Sequence, residues 1–364
     1  MIKVLISGYL GFNNSGDESI LQAINNSIKE EKMPIEITAL SSNPKKTAKN
    51  HKIKSLHSFN PFSILRGIIR SDIILSGGGN LLQDKTSSRS LWYYLLIILF
   101  GKIFGKKVML YSNGVGPLSK KLNIKLVRWI INKVDIITLR ETLSKEMLET
   151  IGVNRPPIYI TSDPVFLLKP ADKTKITKIL SAENINIDNK KIGIAVRKWG
   201  NQRDLRVFAT LCDEIIQNYK LDILFIPMQY PQDLITSQKI MQLMKKNASI
   251  LQKTYSSNEL IGVIGSMDII ISMRLHALIF AGIETVPMIG LVYDPKIKYY
   301  LNQANMPSIE YIKQIDINKI VNTIGSLLKN YNDKQVELAA NIKKLKERAK
   351  QNNKYLYKLI EKGK

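Results

Sequence analysis

The sequence is poor in the residues that build disulfides and transition-metal sites. Among 364 residues it has one cysteine, Cys212, and three histidines, His51, His57 and His276. A single cysteine excludes an internal disulfide framework and any paired-cysteine metal motif. Three scattered histidines argue against a histidine-rich metal site. We therefore expect neither a metal nor a cofactor.

Acidic residues are also scarce, and the shortage is concentrated in one window. The chain carries 54 lysines and arginines against 30 acidic residues, a formal net charge of +24, and it has no Asp or Glu from Lys85 to Val134. This charge indicates an anionic partner, which is nucleic acid, an anionic membrane surface or an anionic substrate. No recognised nucleic-acid-reading motif is present, so we expect no nucleic-acid partner.

The apolar run LWYYLLIILFGKIFGKK, Leu91–Lys107, lies inside this basic window. It is shorter than the roughly 20 residues that a bilayer-spanning helix needs. Its aromatic start and lysine-rich end suit a helix that lies at a membrane surface, and they equally suit a core helix with a solvated basic end. The chain opens directly into strand-like IKVLIS with no signal-peptide pattern, which predicts a cytoplasmic protein.

Strand-like apolar runs alternate with helical patterns, which is typical of an α/β fold with parallel sheets. Many of the strands end in glycine or small polar residues, and such loops line a crevice at the carboxyl edge of a doubly wound sheet. The predicted strands are Ile2–Ser7, Ile35–Leu40, Asp72–Ser76, Lys107–Ser112, Ile136–Leu139, Ile158–Thr161, Lys191–Val196, Asp222–Pro227, Asp268–Ser272 and Val286–Leu291.

The length suffices for two domains, and the strand pattern breaks once. We predict a Rossmann-like domain over 1–169, a polar, lysine-rich linker over 170–190, a second Rossmann-like domain over 191–331 and an amphipathic helix over 332–364. Two facing Rossmann-like domains predict a GT-B-like arrangement with the chemistry in an interdomain cleft.

The second predicted domain has the features of an anion-binding half. In IISMRLHALIFAG, a strand delivers Arg274 and His276 at its end and a helix follows. A helix N-terminus attracts anions, an arginine strengthens such a site, and a histidine can move a proton there. Arg197 ends a parallel strand and can converge on the same anion, as can Lys296 and Lys298 after a third strand. The alternative is a core histidine beside surface-exposed cations.

The first predicted domain offers amides and carboxylates instead. GYLGFNNSGDESIL, Gly8–Leu21, has the glycine spacing of a phosphate-binding P-loop, but Asp17 and Glu18 replace its Lys and Ser or Thr. Short amides and carboxylates suit the hydroxyl groups of a sugar, and glycines admit a ligand close to the backbone. The candidate acceptor-binding residues are Asn13, Asn14, Gly16, Asp17, Gly78, Gly79, Asn80, Asp84 and Asn113.

Some residues of this domain also have a purely structural explanation. SGGGN, Ser76–Asn80, can be a tight turn that packs a helix on a strand. Asp17 can simply stabilise the first turn of a helix. Asp163 before Pro164 can be part of a turn.

Six stretches together resemble the polysaccharide pyruvyltransferases, specifically the CsaB-like branch that pyruvylates secondary cell-wall polymers of Gram-positive bacteria. The resemblance runs from about residue 1 to about residue 300, and the motifs stand in family order. The stretches are GYLGFNNSGDESIL, LSGGGNLLQDKTSSRSLWYYL, NGVGP, TLRETLS, TSDPVF and ISMRLHALIFA.

The resemblance implies a GT-B-like fold that uses phosphoenolpyruvate as donor and no nucleotide sugar. It implies an acceptor disaccharide, N-acetylmannosaminyl-N-acetylglucosamine on undecaprenyl diphosphate, and a 4,6-linked pyruvate ketal as product. Such an acceptor would bring the enzyme to the cytoplasmic face of the membrane, for cell-wall or S-layer anchoring. Arg197 matches the family's donor-binding arginine, and Arg274, Leu275 and His276 match its Arg-Leu-His motif.

For this chemistry we predict His276 as general acid and Asp17 as base or acceptor-orienting group. Two alternatives stay open. A GT-B glycosyltransferase would use a nucleotide sugar and hold its ribose with a glutamate, for which Glu284 is the nearby candidate. A non-enzymatic basic protein would bind membrane or nucleic acid without needing Arg274 or His276.

Overall fold

The computed structural model describes residues 1–30, 33–85, 87–198, 202–310 and 316–361. Contacts between Cα atoms divide the chain into two compact units, Met1–Leu167 with Leu345–Lys364, and Leu168–Lys344. None of the described helices is both long and apolar enough to cross a membrane.

The described part of the first unit contains a seven-stranded parallel sheet in the order β3-β2-β1-β4-β5-β6-β7. Ser7 of β1 pairs with Ser76 of β4, so the loops that follow these two strands leave the sheet side by side. The strands are β1 (Ile2–Ser7), β2 (Ile35–Ser41), β3 (Lys54–His57), β4 (Ile73–Gly77), β5 (Lys107–Asn113), β6 (Ile136–Leu139) and β7 (Ile158–Ile160).

Helices connect these strands, and a short 3-10 turn, Pro164–Leu167, follows the last strand. Side-chain oxygens of Asn43, Asn60 and Ser87 cap three of the helix starts, as polar residues at that position commonly do. The helices are α1 (Ser15–Glu30), α2 (Pro44–His51), α3 (Pro61–Arg70), α4 (Ser88–Ile103), α5 (Lys121–Ile131) and α6 (Thr142–Thr150).

The helices α3, α4 and α5 pack on one face of this sheet. Each belongs to a connection that moves the chain toward β7, and right-handed crossovers of that direction place their helices on the same face. Leu91, Leu95 and Ile98 of α4 lie in one buried cluster with sheet residues such as Ile74. A Cβ on Gly101 would lie only 2.5 Å from Ile74, so glycine permits this close contact.

The described part of the second unit has a six-stranded parallel sheet in the order β10-β9-β8-β11-β12-β13. Ala195 of β8 pairs with Ser272 of β11. The strands are β8 (Lys191–Ala195), β9 (Asp222–Phe225), β10 (Ser249–Ile250), β11 (Ile269–Ser272), β12 (Met288–Val292) and β13 (Ser308–Glu310). The helices are α7 (Lys173–Ala182), α8 (Gln202–Tyr219), α9 (Gln232–Met241), α10 (Ser257–Gly265), α11 (Leu275–Ile283), α12 (Pro295–Ala304), α13 (Ile317–Lys329) and α14 (Tyr331–Glu361).

The α/β class with two parallel sheets agrees with the sequence-based expectation, but some elements differ. The sequence did not predict the short strands β3, β10 and β13. The expected linker over 170–190 contains the helix α7, which belongs to the second unit.

The long helix α14 contributes to both units. Its first half belongs to the second unit, where Gln335 donates to the Thr285 carbonyl at 3.3 Å. Its second half belongs to the first unit, where the Tyr111 hydroxyl donates to Asn353 Oδ1 at 2.5 Å. The predicted C-terminal helix is therefore an integral part of the fold.

Candidate active site

Each sheet has one point where the strand order reverses. In the first unit it lies between β1 and β4, and in the second between β8 and β11. Ligands of doubly wound sheets bind at such points, outside the carboxyl ends of the strands. In the first unit most of the predicted acceptor residues lie in the loops there or in the first turn of α1, whereas Asn113 ends the neighbouring strand β5; in the second unit these loops carry Arg197 and Arg274.

The loop after β1 is closed by Glu18. The Gly11 N–H donates to Glu18 Oε1 at 2.8 Å, and His51 Nε2 lies 3.0 Å from Glu18 Oε2. Gly11 has φ +84°, and a Cβ there would lie 2.3 Å from Ser41 Oγ, so only glycine fits. Because a carboxylate accepts this backbone N–H, the loop has P-loop spacing without being a phosphate cradle.

The predicted acceptor residues Asn13, Asn14 and Gly16 shape the start of α1. The Gly16 N–H donates to Asn14 Oδ1 at 3.1 Å, so Asn14 acts as an N-cap. Asn13 is exposed, adopts φ +55°, and accepts a hydrogen bond from Lys46 Nζ at 2.6 Å. The side-chain oxygens of Asn13 and Asn14 are thus already engaged within the protein.

Asp17, in the first turn of α1, faces the glycine loop after β4. A Cβ on Gly79 would lie 3.1 Å from Asp17 Oδ1, and Gly79 has φ +74°. Gly78 has a packing role, because a Cβ there would lie 2.1 Å from Ile20. Burial raises the pKa of Tyr9 and Tyr94, and the negative charge of Asp17 raises both further. The carboxylate of Asp17 therefore lies beside the glycine loop that follows β4.

Asp84 holds two loops together. It is buried and accepts hydrogen bonds from Ser119 N and Oγ, Lys120 N and Asn123 Nδ2, at 2.9 to 3.2 Å. Burial acts to raise its pKa, but the Asn123 amide and the other donors outweigh burial and lower the pKa to about 2. We predicted that Asp84 contacts the acceptor, but in the structure its carboxylate fixes the loop after β5.

Sequence reasoning missed a buried ion pair at the same edge. Arg140, which follows β6, donates from Nη1 to Asp163 Oδ2 at 2.6 Å, and both side chains are buried. Burial by itself lowers the pKa of Arg140, but Asp163 and then Glu141 overcome it, so the net shift is upward. The TLRETLS and TSDPVF stretches contain these residues, and their shared resemblance to one family was the available signal.

Buried polar atoms without a hydrogen-bond partner among the described residues cluster at this carboxyl edge. Asn80 donates to the Gly116 carbonyl at 2.8 Å, but its Oδ1 has no partner; neither has Nδ2 or Oδ1 of Asn113. An unsatisfied buried polar group costs about 1–3 kcal/mol, so such groups commonly mark a ligand or ordered water. Others at this edge are Ser7 Oγ, Ser76 Oγ, Arg140 Nε and Ser162 Oγ.

In the second unit, Arg197 reaches across the end of β11. Its Nη1 donates to the Tyr293 hydroxyl at 2.7 Å, and its guanidinium lies 4.9 Å from the Tyr293 ring centroid. Tyr293 follows β12, and β11 lies between β8 and β12. The guanidinium of Arg197 therefore lies over the end of β11, where the N-terminus of α11 begins.

Arg274 turns in the opposite direction, across the end of β8. Its Nε donates to Asp233 Oδ2 at 2.9 Å, its Nη2 to Asp233 Oδ1 and, at 3.1 Å, to Gln229 Oε1. Asp233 is fully buried and was not predicted as a site residue. Arg274 therefore already holds a carboxylate, and the side chains of Arg197 and Arg274, which we expected to converge on one anion, turn in opposite directions from their strand ends.

The first turn of α11 carries His276 at the switch point. Arg274 is the N-cap residue but makes no side-chain cap hydrogen bond, so it leaves the first N–H groups of α11 to other acceptors. His276 is half-buried, whereas Leu275 is buried in the core. Leu275 thus positions the helix and is not a polar donor contact.

The two predicted lysines differ in position. Lys296 lies in the first turn of α12 and pairs with Asp294 at 3.2 Å. Lys298 is exposed and pairs with Glu310 on the edge strand β13 at 2.9 Å, two strands away from β11. The structure therefore does not bring Lys298 together with Arg274.

Glu284, the candidate ribose-binding residue of the nucleotide-sugar alternative, lies at the opposite end of α11 from His276. A Cβ on Gly265 would contact its carboxylate at 2.6 Å. Within the described residues, no group of three or more Cys, His, Asp or Glu side chains could hold a metal ion.

The fold and the comparisons with known proteins define the class of this protein. The fold is α/β with two Rossmann-like units, and similar solved structures are GT-B-type glycosyltransferases and epimerases. The polysaccharide pyruvyl transferase family matches residues 14–295. The chain belongs to this family and is a transferase.

Among the similar proteins is the amylovoran biosynthesis protein AmsJ of Erwinia amylovora, 20% identical over 293 residues, which cover 74% of this chain and 68% of AmsJ. Anabaena HepE in complex with UDP and glucose has TM-score 0.68 and 9% identity, with all of both chains covered. Staphylococcus aureus MnaA with UDP has TM-score 0.71 and 12% identity over 99% of this chain and 98% of MnaA. The two structures show the fold alone.

Proposed function

We propose that this pyruvyltransferase of polysaccharide synthesis transfers the pyruvyl group of phosphoenolpyruvate to a lipid-linked amino-sugar disaccharide. The product is a 4,6-ketal on N-acetylmannosamine, for cell-wall polymer and S-layer anchoring, and phosphate is released. The observation that carries the proposal is the meeting of Arg197 with the N-terminus of α11 and His276 at one switch point. We place this reaction at the cytoplasmic face of the membrane.

The second unit binds the donor in this proposal. Phosphoenolpyruvate has a carboxylate and a phosphate, and both suit an arginine with a helix N-terminus. Because Asp233 already compensates Arg274, we assign Arg197 the main ionic contact and Arg274 a positioning role at the start of α11. Lys296 follows β12, the strand next to β11, and in this proposal it assists donor binding.

His276 acts as the general acid on the donor. It protonates the methylene carbon, and the central carbon becomes electrophilic and is attacked by the first sugar hydroxyl. Phosphate then leaves, and the second hydroxyl attacks the same carbon to close the ketal. One hydroxyl proton leaves to the base and is returned to His276, which replaces the proton placed on carbon, and the other leaves with the phosphate.

The first unit binds the acceptor. Asp17 beside Gly79 is the base or orienting group, and Oδ1 of Asn80 together with the amide group of Asn113 provides polar contacts for sugar hydroxyls. Asp84 does not bind the acceptor in this proposal, because its oxygens hold the loop after β5.

A thermal-shift titration separates this proposal from a nucleotide-sugar glycosyltransferase. That alternative is favoured by solved neighbours whose structures contain UDP or UDP-sugars, and opposed by the position of Glu284 away from the switch point. We expect phosphoenolpyruvate to raise the melting temperature and UDP-glucose to leave it unchanged. Stabilisation by UDP-sugars alone contradicts the proposal. Phosphate release and product mass with a synthetic lipid disaccharide then identify the acceptor.

We expect Asp17→Asn to lower turnover about 100-fold or more, since a positioned base contributes roughly that much. Phosphoenolpyruvate stabilisation in the thermal-shift assay should stay intact, because Asp17 belongs to the acceptor-binding unit. Asp72→Asn is the matched control: Asp72 accepts from Lys3 N at 2.8 Å at the opposite edge of the same sheet. Equal turnover in the Asp17→Asn variant and this control removes Asp17 from the mechanism.

A further inference from the structure

The outward side of the helices α3, α4 and α5 is unusually apolar. Most exposed large hydrophobic residues of the described chain lie on these helices or at their ends. We call this surface the three-helix face; its apolar residues are Phe62, Leu65, Ile69, Trp92, Leu96, Phe100, Ile103, Leu122 and Trp129.

The helix α4 forms the centre of this face. Its other side packs in the core, yet every exposed side chain from Trp92 to Phe104 is apolar. Leu96 is 47% exposed and Phe100 is 42% exposed. A surface helix normally turns a polar side to water, and a contiguous exposed apolar stripe marks an interaction site. For Leu91–Lys107 we left open a core helix and a helix at a membrane surface. The core interpretation therefore applies to one side of α4, and the apolar pattern of a surface-binding helix applies to the other.

The neighbouring helices extend the face on both sides. Phe62, Leu65 and Ile69 recur at helical spacing on α3, and α3 packs beside α4. On the other side, Trp92 Nε1 donates to Asn123 Oδ1 at 2.8 Å, which joins α4 to α5. Trp92 is thereby held at the surface, with 40% of its side chain exposed.

Basic side chains flank the apolar centre, and acidic ones are missing from these helices. Neither 59–71 nor 85–134 contains Asp or Glu. Lys133 Nζ lies 5.0 Å from the Trp129 ring centroid, an aromatic–cation pair at the border of the face. The exposed cations on or beside the three helices are Arg66, Arg70, Lys85, Arg89, Lys120, Lys121, Lys125, Arg128 and Lys133.

We propose that the three-helix face is a docking surface for an anionic lipid bilayer. An apolar stripe with tryptophans and a basic border is the pattern of an interfacial helix, in which apolar groups enter the acyl boundary and Lys or Arg bind anionic headgroups. A second copy of the chain fits less well, because two-fold pairing of this face would bring its basic borders together.

An aromatic cluster connects the face with the acceptor loops. Phe59, next to α3, lies 6.4 Å from Tyr93 of α4 and 6.1 Å from Phe12 between ring centroids. Phe12 stacks on Tyr9 at 4.1 Å, in the loop that precedes Asp17. A lipid-linked acceptor anchored at the face would thus have an apolar route to Asp17. This step rests on the proposed function, whereas the docking itself does not.

The test is co-sedimentation of the full-length protein with phosphatidylcholine vesicles, with and without phosphatidylglycerol, in the absence of donor and acceptor. We expect binding to the anionic vesicles and much weaker binding to the neutral ones. Leu96→Ser with Phe100→Ser, and separately Lys121→Glu with Lys125→Glu and Arg128→Glu, should each lower the anionic partition coefficient about tenfold or more.

Matched controls use exposed residues elsewhere. Lys343→Glu with Lys344→Glu and Lys354→Glu makes the same charge change on α14, and Val336→Ser with Leu243→Ser removes exposed apolar side chains from the second unit. Both controls should bind like the unsubstituted protein. The inference is overturned if the unsubstituted protein ignores anionic vesicles, if controls and face variants lose binding equally, or if the Leu96 and Phe100 substitutions only convert a dimer to a monomer in light scattering. Vesicle binding without phosphoenolpyruvate turnover would leave docking intact and reject the proposed function.

Discussion

Replacing His276 with glutamine is expected to slow phosphate release from phosphoenolpyruvate by about 100- to 10,000-fold. Glutamine has similar size and polarity but holds no transferable proton, so carbon protonation loses its acid. His276 lies in the first turn of α11, beside the end of β11 that Arg197 crosses. The measurement is turnover with a short-chain acceptor at saturating donor, together with donor stabilisation in the thermal-shift assay.

The His276→Gln substitution should lower kcat, whereas donor binding should be largely retained. Arg197→Ala should mainly impair donor binding, because it removes the main ionic contact with the donor. Stabilisation by phosphoenolpyruvate in the thermal-shift assay should therefore disappear. His57→Gln, at the end of β3, removes the exposed imidazole of the first unit and should keep full turnover. If His276→Gln turns over normally, another group is the acid, although the reaction itself can still be pyruvyl transfer.

The main strands could be predicted from the sequence because buried parallel strands are continuous apolar runs. The short strands were not recognised since KSLH, SI and SIE have too few residues and too little apolar pattern. The segment of α7 resembles a linker in the sequence because it is polar and rich in lysine. Its Ile176, Ile179 and Leu180 do have helical spacing, and a Cβ on Gly262 of α10 would lie 2.6 Å from Ile176.

The site was predictable only to the level of loops. Arg197 and Arg274 follow parallel strands, which placed them at one edge, but the sequence does not say which way a long side chain turns. Tyr293 and Asp233 decide that, and they lie 96 and 41 residues away in the chain. Short polar residues raise the same difficulty: Asp17 and Asp84 look alike in sequence, and the sequence does not show that Asp84 accepts hydrogen bonds from Ser119, Lys120 and Asn123 that fix a loop.

The interpretation of the basic window also depends on which of its side chains are buried. The basic window was recognisable from the sequence, but its apolar run could not be divided into core and surface sides without the packing of α3 and α5 beside α4. The division matters because it turns a general tendency to bind anions into a defined surface with an apolar centre.

The Arg140–Asp163 pair should give the largest stability effect of any substitution at the carboxyl edge. Asp163→Ala leaves the buried guanidinium uncompensated, and breaking a buried ion pair in this way costs about 3–5 kcal/mol. Arg140 cannot escape by losing its proton, because an arginine guanidinium stays protonated in proteins. Urea unfolding followed by far-ultraviolet circular dichroism should show a lower midpoint for the first unit.

Two further variants distinguish the loss of a partner from the loss of an interaction. Arg140→Met with Asp163→Leu removes both charges and should recover most of the stability, because the desolvation of an unpaired charge is then absent. Glu310→Ala breaks the exposed pair with Lys298 and should cost at most about 1 kcal/mol. If Asp163→Ala is no worse than Glu310→Ala, Arg140 must reach solvent or another anion. If the double variant is stable but inactive with the lipid disaccharide, the pair serves the acceptor site as well as the fold.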